Sequence, residues 1–188
     1  MCLRRGHPRL HSFPGGILTV NTRRRLIPLC LTVIVIIADQ VLKAVIVATI
    51  PANTIGVSLL GGFLRIINVQ NTGIAFSIGQ GAPQAFRGLF FIILPILVLL
   101  LLGFYYVRSA DISQLQRWAI AGILGGGAGN LIDRVVRPHG VVDFIDVKFY
   151  GLFGLDRWPT FNLADATVVV CGILLLVSVF FNKREGER

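Results

Sequence analysis

Four stretches of the chain are apolar with few polar interruptions: residues 26–50, 85–107, 115–136 and 161–181. Runs of about 18 or more such residues are long enough to cross a bilayer as helices. The third stretch, LQRWAIAGILGGGAGNLIDRVV, is the least apolar and carries Gly125, Gly126, Gly127 and Gly129. Those glycines would weaken a soluble helix, but in a membrane small residues let helix backbones approach closely. Pro95 predicts a kink in the second stretch, tolerable where neighbouring helices re-satisfy the backbone. The whole chain is 54% hydrophobic, with mean hydropathy +0.76, values a soluble domain of this size rarely reaches.

The polar connections carry weaker patterns. In FLRIINVQNTGIAFSIG, residues 63–79, the run Ile66, Ile67, Val69 with Asn68 and Gln70 predicts a short strand, and NTG predicts a turn. Ala75, Phe76 and Ile78 are apolar on this outward loop, fit to lie on the bilayer, to cover a substrate or to pack within a small hairpin. Residues 142–150 alternate like a strand. The expected fold is an α-helical membrane protein with four transmembrane helices and strand-like segments in its longer connections.

Charge orients this framework. The net charge is +9, but its placement speaks against nucleic acid. Arg4, Arg5, Arg9, Arg23, Arg24 and Arg25 precede the first span, Arg108 and Arg117 flank the second connection, and Lys183, Arg184 and Arg188 follow the last span. By the positive-inside rule both termini and the second connection are cytoplasmic. Tyr105, Tyr106 and Trp118 then suit an inner aromatic belt, and Trp158 an outer one. Residues 1–25 read as a basic, disordered cytoplasmic arm, 26–182 as a four-span domain and 183–188 as a cytoplasmic tail. The arm and first span imitate a signal peptide, but the apolar run is too long and LIPLC lacks small residues before Cys30. Cys2, Cys30 and Cys171 form no paired framework and no metal spacing.

Depth singles out the acids. At about 1.5 Å per helical residue, Asp39 lies roughly 21 Å beyond Arg25, Asp133 roughly 24 Å beyond Arg117 and Asp165 roughly 27 Å from Lys183. In a core about 30 Å thick, three acids on three helices reach its outer third, where ionisable groups are costly and face a bundle interior or a cavity. Asp39 and Lys43 are spaced to pair on successive turns. Asn130, Asp133 and Arg134 share one helix face, and so do Asn162 and Asp165. Each patch taken alone also fits a structural part: an ion pair, a helix tie, or an acid favoured at a helix N-terminus. Their common depth favours a shared site. In the third connection, Asp146 and Asp156 have Lys148 and Arg157 for company and read as solvated surface acids. Asp143, in GVVDF, stands in an apolar setting and lies close enough in sequence for a loop to fold it onto Asp165.

Two carboxyls meeting in a low-dielectric pocket share a proton. The ionised member can take a proton from water while the protonated member donates to a carbonyl oxygen. This chemistry calls for no covalent intermediate, metal or cofactor. The sequence lacks His-Glu-x-x-His, and His139, the one histidine near the outer site, has no Gly-x-Ser-x-Gly beside it.

DQVLK (39–43), NTGIAF (71–76), GGGAGNLIDR (125–134), VVDF (141–144) and FNLAD (161–165) occur in this order. Together they resemble the bacterial lipoprotein signal peptidases, or signal peptidase II, over about residues 26–182. GAGN differs from the Gly-x-Gly-Asp of presenilin-like aspartyl proteases. The resemblance implies an aspartyl endopeptidase of the bacterial inner membrane, inhibited by globomycin, with a small extracytoplasmic β-sheet and an extracytoplasmic loop beside its four transmembrane helices; a monomer is expected. Its substrates would be membrane-held prolipoproteins bearing a diacylglyceryl cysteine, cut just before that cysteine. It implies Asp143 and Asp165 as the catalytic pair and Asn71, Asn130 and Arg134 as substrate-binding. Asp39, Lys43, Gly73, Asp133 and Asn162 would support the site. A small transporter is the first alternative for intramembrane acids and a lysine, but no internal repeat is visible and the acids sit at one depth. A non-catalytic scaffold is the second.

Overall fold

A computed structural model describes residues 15–71, 89–109 and 111–186. The chain runs α1 (Gly15–Thr49), β1 (Thr54–Leu59), β2 (Leu64–Asn71), α2 (Leu94–Arg108), α3 (Gln114–Val136), β3 (Val141–Val147) and α4 (Leu163–Gly186). Among the described residues, three helices are long and apolar enough to cross a membrane: Thr22–Thr49, Phe90–Arg108 and Leu163–Phe180. Their outer faces are apolar and exposed, as at Ile34, Leu101 and Leu176. α3 is 23 residues long, about 35 Å, yet less apolar, and its packing explains why.

α3 sits among the other three helices, and its consecutive glycines meet a different one each. A Cβ at Gly125 would touch Thr32 and Val35 of α1, one at Gly126 the Ala164 carbonyl of α4, and one at Gly127 Leu99 of α2. Ala119, Ile120 and Ala121 are buried in the same stretch, and Thr32 Oγ1 donates to the Ala121 carbonyl at 2.7 Å. A helix enclosed by protein needs small residues rather than a lipid-facing apolar surface. Its start is fixed by a capping box: Ser113 Oγ accepts the Gln116 N–H and Gln116 Oε1 accepts the Ser113 N–H.

The N-terminal helix starts earlier than expected. α1 begins at Gly15, inside the arm expected to be disordered, because residues joined to an established helix need no new nucleation. Near Pro95 the winding changes: a π-helical turn, Leu89–Ile93, runs into α2. Proline removes a donor and crowds the carbonyl four residues earlier, and the wider π turn relieves that crowding. Tyr106 is buried rather than belted against lipid, its hydroxyl donating to the Arg25 carbonyl. Tyr105 and Trp118 keep exposed faces.

The three strands form an antiparallel sheet in the order β1-β2-β3. β2 covers the run read from sequence; β1, with all six residues exposed, has no alternation to reveal it. A bulge in β2 between Ile66 and Val69 adds one residue and re-aims its neighbour. Asn68 turns inward there and its Nδ2 donates to the Ile50 carbonyl at 2.7 Å, pinning the sheet to the end of α1. β3 ends at Val147 rather than Tyr150, which has left-handed φ of 54°. Asp146 corrects its expected solvation: it is buried, and Arg157 Nε donates to both its oxygens at 2.6 and 2.7 Å. Asp156 is exposed, as expected.

Candidate active site

The site forms where the sheet meets the first turn of α4. Asn162 caps that helix. Its Oδ1 accepts the Asp165 N–H at 2.9 Å, and Asp165 Oδ2 accepts the Asn162 N–H at 3.2 Å. This reciprocal pair satisfies two orphan donors of the helix start and fixes the Asn162 amide. Its Nδ2 then donates to Asp143 Oδ1 at 2.8 Å and to Asn130 Oδ1 at 3.0 Å. Asn130 Nδ2 donates to the remaining Asp165 oxygen, Oδ1, at 2.7 Å. Asn71, at the end of β2, pairs in register with Val141 and donates to Asp143 Oδ2 at 3.0 Å. Asp143 and Asp165, 22 residues apart in sequence, thus share one network of asparagine donors. The strand carrying Asp143 is also tied to the approach to α4, since the Phe161 carbonyl accepts from the N–H groups of Phe144 and Ile145.

Beneath this layer lies a buried charge cluster. Lys43 is fully enclosed, and its three ammonium protons have three acceptors: Asp39 Oδ2 at 2.7 Å, Asp133 Oδ2 at 2.8 Å and Asn130 Oδ1 at 2.9 Å. The two acids reach onward to the backbone. Asp39 Oδ1 accepts the Ala164 N–H at 3.0 Å and Asp133 Oδ2 the Val142 N–H at 3.3 Å. Ala164 and Val142 immediately precede Asp165 and Asp143. One lysine therefore connects, through two carboxylates, to the chain positions that set both upper acids. Such a cluster is worth keeping only when every charge is matched. The second cation is Arg137, whose Nε donates to Asp133 Oδ1 at 3.0 Å.

Sequence spacing anticipated the Asp39–Lys43 pair and the shared faces of Asn130 with Asp133 and of Asn162 with Asp165. The cations that Asp133 pairs with are Lys43 and Arg137. Arg134 instead lies within electrostatic reach of Asp165, Asp143 and Asp133, and its buried Nε has no hydrogen-bond partner among the described residues. Gly73 and the apolar residues Ala75, Phe76 and Ile78 lie outside the described residues. Two contributors were missed. Gln40 Nε2 donates to the Gly129 carbonyl and to Asp133 Oδ1, each at 3.0 Å. Arg137 carried a usable signal, four residues beyond Asp133; Gln40, inside DQVLK, carried none.

Asp143 is 2% exposed, and its carboxyl is pushed up to about 6, chiefly by burial and further by the charge of Asp165. The hydrogen bonds from Asn71 and Asn162 and the charge of Lys43 oppose that rise. A carboxyl in this range exchanges its proton near neutral pH, as acid–base chemistry requires.

The comparisons with known proteins converge. The family described as signal peptidase (SPase) II matches residues 31–181. The lipoprotein signal peptidase of Treponema pallidum (strain Nichols) is 49% identical over 170 residues, 90% of each chain. That of Treponema denticola is 47% identical over 159 residues, 85% of this chain and 91% of its own. A solved bacterial membrane enzyme, determined by the in meso method, superposes with TM-score 0.70 at 31% identity, covering 83% of this chain and 88% of that one.

Proposed function

The chain belongs to the signal peptidase II family, and from that premise we propose that it cleaves diacylglyceryl-modified prolipoproteins just before the lipidated cysteine, using Asp143 and Asp165 as a proton-sharing pair. The observation that carries this reading is the donation from Asn162 to Asp143 while the same side chain caps the helix start that presents Asp165. In the proposed reaction the ionised carboxylate takes a proton from water, and that water attacks the scissile carbonyl. The protonated partner donates to the carbonyl oxygen; as the carbon–nitrogen bond then breaks, the carboxyl that took the water's proton passes it to the leaving amine and a hydroxyl proton returns to its partner, restoring the pair. Arg134 and Asn130 hold the substrate backbone, with Asn71 steering Asp143. Asp39, Lys43 and Asp133 hold the frame.

α3 serves as a fourth span. Its length and its enclosure by the three apolar helices support this. Both termini face the cytoplasm, and the acids lie near the outer interface, where a lipid-anchored substrate presents its cysteine. The protein acts as a monomer, and globomycin competes for the same groups. The test is a cleavage assay with purified protein in detergent and two forms of one prolipoprotein, with and without the diacylglyceryl group. Cleavage of the lipidated form alone, blocked by globomycin, is expected. Equal cleavage of the unlipidated form would remove the lipid from the recognition scheme.

A further inference from the structure

The end of the helix bundle opposite Asp143 and Asp165 collects guanidinium groups that form no ion pair among the described residues. Arg25 of α1, Tyr106 of α2 and Arg117 of α3 meet there. The Tyr106 hydroxyl donates to the Arg25 carbonyl at 2.5 Å. The Arg117 guanidinium carbon lies 5.6 Å from the Tyr106 ring centroid, and its Nη2 donates weakly to the Ser109 carbonyl at 3.3 Å. Arg117 is 5% exposed. Its Nη1, and Nε of Arg25, are buried with no hydrogen-bond partner among the described residues. The ion pairs among the described residues engage Lys43, Arg137 and Arg157, not these two arginines.

A buried guanidinium whose donors and charge lack a partner among the described residues is costly. The cost falls if an anion completes the site. Beside it opens a cleft of about 570 Å³ lined by Arg108, Ser109, Gln116 and Asp111 together with the apolar Ile112 and Val179. Ser109 joins the two features, lining the cleft while accepting from Arg117. Asp111 is exposed and shares the cleft lining with Arg108, while Arg25 and Arg117 lie beside the cleft with unmatched donors. The cleft also adjoins the exposed apolar faces of α2 and α4, at Val107 and Val179. A polar recess next to an acyl-facing surface suits an amphiphile with an anionic head.

We propose that Arg25 and Arg117, with Arg108 at the mouth of the cleft, bind the phosphodiester of an anionic phospholipid in the leaflet at this end of the bundle. Guanidinium forks match phosphate oxygens geometrically where a lysine offers a point charge. The site rests on the reading of these helices as membrane-spanning and is independent of the Asp143–Asp165 chemistry. It lies where the positive-inside rule puts the cytoplasmic leaflet, so the lipid would fasten the N-terminal ends of α1 and α3 together.

The test is native mass spectrometry of the full-length protein in detergent. It is titrated with phosphatidylglycerol or with phosphatidylcholine of the same acyl chains. Wild type should retain phosphatidylglycerol at least about tenfold more tightly, the scale of one charge-assisted hydrogen bond. Arg25→Gln/Arg117→Gln should lose that preference, and Arg25→Lys/Arg117→Lys should keep only part of it. Inorganic phosphate, added as a competitor, should not displace the lipid. Equal retention of the two lipids by wild type would overturn the proposal without any variant. So would an undiminished preference in a folded Gln variant, and displacement by phosphate would identify a small-anion site instead. Because the readout is binding, its failure is distinct from a failure to cleave.

Discussion

Asn162 and Asp165 cap one another, the asparagine carbonyl holding the Asp165 N–H at 2.9 Å and the Asp165 carboxylate holding the Asn162 N–H at 3.2 Å. The pair does two jobs with one side chain, because fixing Oδ1 on the helix aims Nδ2 at Asp143. The jobs can be separated. Asn162→Ser keeps an N-cap and should be about 1 kcal/mol more stable than Asn162→Ala, while both lose the buried amide that serves Asp143 and Asn130, a further cost of about 1–3 kcal/mol. Both should cleave about 100-fold more slowly, since neither can hold Asp143 in place. Thermal unfolding in detergent and a cleavage rate check this; a serine variant at wild-type rate would show that Asp143 needs no such support.

Lys43 is the only cation that touches both Asp39 and Asp133 among the described residues. Lys43→Met therefore strands two enclosed carboxylates, with Arg137 left for one of them, and should cost about 3–5 kcal/mol. Adding Asp39→Asn to Lys43→Met removes one stranded charge and should recover part of that loss. Unfolding midpoints of the single and double variants decide the matter: simple additivity would mean that the cluster is not coupled.

Asp143 gives the site a pH signature. Its carboxyl, raised from 3.8 to about 6 by burial first, binds a proton more tightly folded than unfolded. Its contribution to stability is thus full below about 3.8 and lost as pH rises through about 6. Over that window the wild-type unfolding midpoint should fall relative to Asp143→Asn. The acid limb of kcat/KM should likewise rise with an apparent pKa near 6. Asn71→Ala removes a hydrogen bond that favours the ionised form, so that limb should move to higher pH. A limb that stays put or moves down would mean another group is titrating.

Two glycines of α3 differ in what a methyl group would strike. At Gly126 a Cβ would lie 2.5 Å from the Ala164 carbonyl, backbone that cannot rotate away, one residue before Asp165. At Gly122 it would meet the Cys171 side chain, which can turn aside. Gly126→Ala should therefore destabilise by about 1–3 kcal/mol and slow cleavage by shifting the first turn of α4, whereas Gly122→Ala should be milder on both counts. Equal rates for the two variants would argue that α3–α4 spacing does not set the site.

Local geometry was legible in the sequence, and long-range pairing was not. Asp39 with Lys43, and Asn162 with Asp165, could be read because helix periodicity alone puts them together. That Asn162 serves both acids could not, because it depends on how β3 docks against α4. Asp146 was misread for the same reason: its partner Arg157 arrives through a bridge pairing Lys148 with Arg157. β1 escaped notice because pairing with β2, not burial, makes TIGVSL a strand; its Gly56 lies where a Cβ would strike Ile50. Tyr106 was taken for a lipid-facing aromatic because composition does not say which side of a helix faces α1.

The central claim, that Asp143 and Asp165 act together on water, is tested most directly by one assay. Diacylglyceryl-modified prolipoprotein is given to wild type, Asp143→Asn and Asp165→Asn, each checked for an intact unfolding transition. Both variants should lose at least about 100-fold in rate, the scale of removing one acid–base group, while still binding the substrate. A folded variant of either acid that cleaves near the wild-type rate would contradict the account.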